Sequence, residues 1–275
     1  MSNRNNKKPT ELVKEQLEKG SNKRFMKCSF YCLIFSLLIT AGAFAMPSHR
    51  ASKKPICVLI VTGMDHPAHD WRKTTEALKG ELTKDLRMKV EVLEDPYRLD
   101  SVELKRYDVV FLNFNNWQKP DPGAKAEENL KQFVARGGGL VLMHFACGAF
   151  GNWSEFPNLA GRVWDRKNTH DPLGYFRVEL VNKLHPVTSG MESYDTDDEL
   201  YICLTGDKPV ELLAEARSKI TGYSHPMAFV FTYGKGRVFH TTLGHNAYAI
   251  HVAGTAELIR HGVIWAARQS VVPLK

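Results

Sequence analysis

Three stretches of this 275-residue chain carry side chains able to move protons near neutral pH or to hold a metal ion. They are Gly63-Met-Asp-His-Pro-Ala-His69-Asp-Trp71, His144-Phe-Ala-Cys-Gly148 and Gly244-His245-Asn246. The first two follow apolar runs that read as buried strands, and the third follows the late strand Arg237–Leu243. In an open α/β sheet, ligands bind beyond the carboxyl ends of the strands. The three runs therefore deliver His69, His144 and His245 to one rim. A single histidine is as often structural or simply exposed as functional. The joint placement is what makes these three a set.

Further candidates lie between strands. Thr169-His170-Asp171-Pro172, Asp197-Asp-Glu199-Leu-Tyr201 and Ser224-His225-Pro226 each combine a titratable group with a turn-forming or aromatic neighbour. If the Asp-Asp-Glu run is extended, Asp197 and Glu199 share a face and Asp198 lies opposite. Glu199 is the expected acid or base, while Asp198 is placed to cap or bind instead. Cys147, three residues past His144, is expected to be a small core residue. His185 opens a turn or helix, His240 sits on a strand as a satisfied core or sheet-face residue, and His251 and His261 look peripheral. Three histidines and a carboxylate are a sufficient set for zinc. The chain has no H-x-x-x-H or H-E-x-x-H helix, so such ligands would come from separate loops. A divalent metal such as zinc thus stays one alternative, and no cofactor is certain.

The elements that must hold these groups follow from hydrophobic spacing. Residues 56–61, 90–93, 107–113 and 140–144 predict strands, separated by helices from Asp70 to about residue 86 and over 123–136. This alternation predicts a parallel sheet covered on both faces. The second half predicts strands at 175–180 and 210–214, and a hairpin of 227–232 and 237–242 around Tyr-Gly-Lys-Gly. A closing helix spans 253–267. The expectation is one domain over residues 55–270, whose sheet gains antiparallel strands late.

Charge separates the chain into two regions. Residues 1–54 hold 11 of the 37 Lys and Arg and 3 of the 30 Asp and Glu, leaving 26 and 27 for the rest. The folded part is near neutral, without the basic cluster that nucleic acid requires. The basic flank precedes an apolar run from Cys28 to Thr40 and then Ala43-Phe-Ala45, the pattern of a secretory signal. Residues 1–45 are therefore read as an N-terminal extension and signal peptide, and 46–54 as a flexible leader. Met26-Lys27 would be an ordinary start, which makes residues 1–25 an upstream extension. The expected destination is export, to the periplasm, with no stable membrane span after cleavage. The alternative is an anchor formed by uncleaved residues 28–45. Cys57, Cys147 and Cys203 remain, too scattered for a disulfide framework.

From Ile56 to Arg268 the chain resembles the trehalose-utilisation (ThuA-like) family. The residues that carry the resemblance include Val61-Thr-Gly63 with His69-Asp-Trp71, Gly137-Gly-Gly-Leu-Val-Leu-Met-His144 with Trp153, His170-Asp171, Asp198-Glu-Leu-Tyr201, His225-Pro226 and Gly234-Lys-Gly-Arg-Val-Phe-His-Thr-Thr-Leu-Gly-His245. The resemblance implies a three-layer, mostly parallel α/β sheet, flavodoxin-like or class I glutamine amidotransferase-like, with late antiparallel strands. Class I glutamine amidotransferases place a nucleophilic cysteine on the turn where this chain has His144, so amidotransfer is not expected. The resemblance also implies sugar catabolism, with a small-molecule carbohydrate as partner. The expected reaction is acid–base hydrolysis or isomerisation of a glycoside or keto-sugar derivative, with His144, Glu199, His245 and His170 catalytic. His69, Trp71, Trp153, Tyr201 and His225 are expected to bind substrate, the tryptophans by stacking on a sugar face. A metal-dependent hydrolase and a non-catalytic sugar-binding module remain open. This chain passes quickly from Trp164 to His170 where many members carry a long insertion, which leaves the pocket rim more open or its substrate different.

Overall fold

Along residues 56–61 every second side chain faces the same way, and Ile56, Val58 and Ile60 are as fully buried as Leu59 and Val61. A strand buried on both faces needs cover on both, and the fold supplies it. The computed structural model describes residues 54–116, 118–164, 169–202 and 204–271. The expected extension, the signal peptide, all but the last residue of the leader, and Cys203 lie outside the described residues.

In chain order the strands are β1 (Ile56–Val61), β2 (Met88–Leu93), β3 (Val109–Leu112), β4 (Gly139–Met143), β5 (Thr169–His170), β6 (Gly174–Leu180), β7 (Tyr194–Asp198), β8 (Tyr201–Ile202), β9 (Glu211–Arg217), β10 (Ser224–Tyr233) and β11 (Gly236–Thr241). The helices are α1 (Trp71–Thr83), α2 (Ala124–Ala135), α3 (Phe156–Ala160), α4 (Ala247–His251) and α5 (Ala253–Ala266). Nine strands form one sheet in the order β2-β1-β3-β4-β11-β10-β9-β6-β7. From β2 to β11 each neighbouring pair is parallel. From β11 to β7 each is antiparallel. The fold is thus the expected α/β class, a parallel sheet that gains antiparallel strands late.

Helices α1 and α5 cover one face through Leu78, Leu82, Leu258, Ile259 and Val263. Helices α2 and α3 cover the other through Leu130, Val134 and Leu159. His261 on α5 is buried, its Nδ1 2.9 Å from the Val187 carbonyl, and not peripheral as expected. The helix is apolar nearly all round, so even its polar position faces packed neighbours. None of the described helices is long and apolar enough to cross a membrane.

Two features of this topology position the site. Strands β1, β4 and β11 run the same way, so their carboxyl ends share a rim. Four antiparallel steps from β11 bring β7 back to that direction, so its carboxyl end joins the same rim. The sheet also curls: the end of β7 touches the loop after β11, four strands away in the order. A register shift in β10 at Pro226–Phe229 supplies a local bend of the kind that allows this.

Candidate functional site

The loop after β1 turns at Gly63, whose φ is +106° and where a Cβ would lie 1.8 Å from the Glu94 carbonyl oxygen. Only glycine permits that approach. Asp70 then caps α1, its carboxylate accepting from Arg72 N and Lys73 N. Between them His69 N donates to His66 O at 3.2 Å, closing a tight loop that brings the two imidazoles to 4.6 Å. His69 packs on Phe145 at 4.4 Å and meets His144 and His245 edge-on at 5.0 and 4.8 Å. Burial, then the neighbouring His144 and His245, push its basicity down to about 2, so it is neutral at any physiological pH.

Strand β4 runs straight into His144, which adopts a left-handed backbone with φ +49° and opens a short 3-10 turn. This is the sharp elbow that projects a side chain from a strand end. His144 Nδ1 lies 2.7 Å from the Thr242 carbonyl. A carbonyl only accepts, so Nδ1 carries a proton, and Nε2 faces Glu199 and His245. The loop after β11 passes Gly244, where φ is +106° and a Cβ would meet Met143 Sδ at 2.8 Å, and then places His245.

Asp198 at the end of β7 is fully buried. Its Oδ1 accepts from Glu199 N at 2.8 Å and His245 N at 3.0 Å, and its Oδ2 accepts from Gly244 N at 2.7 Å. Asp198 therefore fixes the backbone of two site residues from two distant strands. Glu199 follows. Its Oε1 is 3.0 Å from His170 Nδ1, which also lies 2.8 Å from Asp171 O. Its Oε2 is 3.3 Å from both His144 Nε2 and His245 Nδ1, and those two nitrogens are 3.3 Å apart. Burial acts to raise the Glu199 carboxyl, but hydrogen bonds from His144 and His245 outweigh it and hold the group below the ordinary carboxylate range. Burial acts to lower His245, and the Glu199 carboxylate outweighs it in turn, so His245 is more basic than usual.

An equilateral triangle of three donors 3.3 Å on a side is what a tetrahedral ion needs, since ligands at 2.0–2.1 Å stand about 3.4 Å apart. His69 supplies a fourth donor, all four lying within 4.8 Å of one another. Its Nδ1 is buried without a partner among the described residues, a costly state that a ligand or ion would relieve. The donor set of imidazole nitrogen and carboxylate suits zinc or a similar divalent ion.

His69 and Glu199 of the cluster line a cavity of about 940 Å³, and His144 and His245 stand behind them against Glu199. Tyr201 lies 4.3 Å from the His144 ring, and Trp164 4.8 Å from Tyr201. Of the residues expected from sequence, His69, His144, His170, Glu199, Tyr201 and His245 come together here. Three do not. The Trp71 indole is buried in the first turn of α1, its Nε1 donating to Asp65 at 2.8 Å beneath the Arg72 guanidinium. Trp153 packs on Phe150 and Phe156 in the core under α3. His225 lies at the start of β10 with Nε2 2.8 Å from Thr221 Oγ1. None of the three lines the cavity. Cys147 does line it, but it is buried and its thiol is pushed well up by burial, as an inert core residue would be. Sequence reasoning passed over Asn115, Asn116, Asp121 and Trp164, all on the cavity wall. The strand-end rule applied to β3 would have found the first two.

The family model for trehalose utilisation, ThuA, matches residues 57–266. The chain belongs to the ThuA family. A ThuA-like protein from Parabacteroides merdae is similar in structure, at 24% identity and a TM-score of 0.73, over 80% of this chain and 93% of that one. Another from Bacteroides uniformis is 22% identical with a TM-score of 0.63, over 78% of this chain and 93% of that one. A beta-galactosidase from Bacillus circulans sp. alkalophilus shares the fold at 15% identity and a TM-score of 0.52, the match covering 30% of its length and 78% of this chain. At these identities the likenesses show the fold. No curated protein matches the chain. The ThuA match includes every residue of the histidine–glutamate cluster, which spans His69 to His245.

Proposed function

We propose that this ThuA protein acts on a carbohydrate derivative, a glycoside or keto-sugar, by hydrolysis or isomerisation at the His144–Glu199–His245 cluster. The observation that carries the reading is the 3.3 Å triangle of donor atoms whose Glu199 corner opens on a cavity lined by Tyr201 and Trp164. Family membership supports a carbohydrate. Aromatic rings beside clustered polar groups are also what a sugar needs, with its apolar faces and many hydroxyls.

Glu199 is held ionised, and His245, its more basic neighbour, is the better proton carrier of the pair. His144, oriented by its Nδ1–H on the Thr242 carbonyl, turns Nε2 toward the cluster. His170 has a side chain 41% exposed and touches Glu199 Oε1, so it links the buried carboxylate to solvent. The cluster also fits a divalent ion, which His69, His144, Glu199 and His245 would hold. When bound, such an ion supplies Lewis-acid polarisation of a substrate oxygen. The specific reason for a metal reading is the near-tetrahedral edge of the triangle and the unpartnered His69 nitrogen.

Export completes the proposal. Its support is the basic flank, apolar run and Ala-x-Ala exit within residues 1–45. The amino terminus of the secreted protein, read by mass spectrometry, checks it. For the activity, purified protein is assayed on glycosides and 3-keto-glycosides with and without added zinc, beside Glu199→Gln and His144→Ala. Turnover lost in both variants is the expected result. Equal turnover in wild type and both variants would refute the site, and binding without product would leave a sugar-binding module in its place. Zinc content near one ion per chain, lost in His69→Ala and His144→Ala, would establish the metal reading.

A further inference from the structure

Nine large apolar or aromatic side chains stand exposed among the described residues, and five of them gather in one place. They are Leu173 and Tyr175 where β6 begins, Ile220 and Tyr223 on the turn between β9 and β10, and Tyr248 on α4. Each is 54–75% exposed. Exposed apolar residues scattered singly are ordinary on a protein surface, whereas a contiguous group marks a contact surface.

Hydrogen bonds draw the three segments together. The turn is tied to the start of β6 by Asp171, whose buried carboxylate accepts from Ser218 Oγ and from Lys219 N, both at 2.6 Å. Lys219 Nζ donates to the Tyr175 carbonyl at 3.0 Å. The Tyr175 and Tyr248 phenols are within hydrogen-bonding reach of each other. Ser218 N donates to Tyr223 O at 2.9 Å and Gly222 N to Ser218 O at 3.0 Å, which closes the turn. A surface fixed in this way loses little freedom when it is covered.

The size and charge of the patch say what covers it. At about 200 Å² for a whole tyrosine side chain, and somewhat less for leucine or isoleucine, the five expose about 600 Å². That is the top of the range for the largest patch on a monomer. Two such surfaces face to face bury about 1,200 Å², where specific interfaces begin. Tyrosine, the commonest of the five, is enriched at such interfaces, because its ring packs while its hydroxyl stays hydrated. The borders carry both signs. Lys219 stands on the turn, and Asp197 on β7 lies directly across from Tyr175; neither makes an ion pair among the described residues. Two-fold symmetry repeats every contact, so a cation and an anion on one patch meet their opposites on a second copy. An anionic bilayer calls for cations alone.

We propose that this chain forms a two-fold dimer through the rim beside β6, with Tyr175, Tyr223 and Tyr248 at the centre of the contact and Lys219 facing Asp197 of the partner subunit. The dimer is independent of the carbohydrate reading, since none of the five patch residues lines the cavity.

The test is sedimentation equilibrium of the full chain over a range of concentrations. Wild type is expected at twice the chain mass. Tyr223→Asp, which sets a carboxylate in the apolar contact on both sides of the two-fold, is expected to weaken the dimer by about 100-fold or more, and Tyr175→Ala by about tenfold. Lys219→Glu is expected to weaken it about tenfold, and Lys219→Glu combined with Asp197→Lys to restore it. Monomer at every concentration would overturn the proposal. So would a dimer that Tyr223→Asp leaves unchanged, because the contact would then lie elsewhere. Binding of a monomeric wild type to vesicles of anionic lipid, abolished by Tyr223→Asp, would give the patch to a membrane and overturn it as well. Native circular dichroism spectra of the variants separate lost association from lost folding.

Discussion

Asp198→Asn is the sharpest test of how the site is held. Both oxygens of Asp198 accept, and all three partners are backbone N–H groups, so the carboxylate form matches its surroundings. Burial pushes the carboxyl above its ordinary value, with His144 and the three N–H groups acting in the other direction. Asparagine keeps one carbonyl oxygen, enough for Glu199 N and His245 N, and turns its own NH2 toward Gly244 N. A charge-assisted hydrogen bond worth about 1.5–3 kcal/mol is lost and a buried N–H is left without an acceptor. These two contributions overlap, and the expected cost is about 2–4 kcal/mol. Urea unfolding at pH 7, followed by tryptophan fluorescence, reads it directly. Asp197→Asn, one residue away and half-buried, is expected to cost under about 0.5 kcal/mol. A cost below about 1 kcal/mol for Asp198→Asn would mean that the acid is protonated in the native state, and the account of the charged tether would fail. Since the same carboxylate fixes Glu199 and His245, the variant is also expected to bind zinc about 10–100-fold more weakly.

Other outcomes follow from the same geometry. His240 is buried with Nδ1 on the Ala160 carbonyl and Nε2 unpartnered among the described residues, and burial lowers it to about 4. Its folded value lies below its unfolded value, so its contribution is complete above about pH 6.5 and falls as pH drops toward 4, by about 3 kcal/mol in total. Urea unfolding from pH 7 to 4.5 is expected to show a slope about one proton shallower in His240→Gln than in wild type. Cys147 is expected to resist iodoacetamide in the native protein at pH 7.5 and react only on unfolding, as read by peptide mass spectrometry. Gly63→Ala, which must push a methyl into the Glu94 carbonyl, is expected to lower stability by about 3 kcal/mol or more in the same urea assay.

Much of this fold is legible in the sequence because β1 and β4 are apolar runs, β11 is marked by the Tyr-Gly-Lys-Gly turn before it, and each is followed within three residues by a glycine or histidine that marks the rim. Strand β7 was not legible. Tyr-Asp-Thr-Asp-Asp carries three carboxylates in five residues: the sheet edge leaves Asp195 exposed and Asp197 half-buried, and three backbone N–H groups satisfy the buried Asp198. The structure places Glu199 in the cluster, but Asp198 could be given its task only once β7 was seen to curl back to Gly244. The tryptophans failed for a simpler reason. An indole beside a histidine motif is equally suited to a sugar face or to the core, and spacing alone does not say which side of a short helix faces inward. Trp71 and Trp153 went to the interior, and Trp164 took the place beside Tyr201.

The left-handed backbone at His144 has a consequence for how this fold changes its chemistry. A non-glycine residue at φ +49° costs about 1–3 kcal/mol whatever its side chain, and the surrounding strands bear that cost. The aim of the side chain is thus a property of the main chain, and its reagent a property of one codon. Position 144 acts as a socket into which an imidazole, a thiol or a carboxamide can be fitted without moving the sheet. Direction and reactivity are therefore set by separate features of this chain, the strand-to-turn backbone and the side chain it carries.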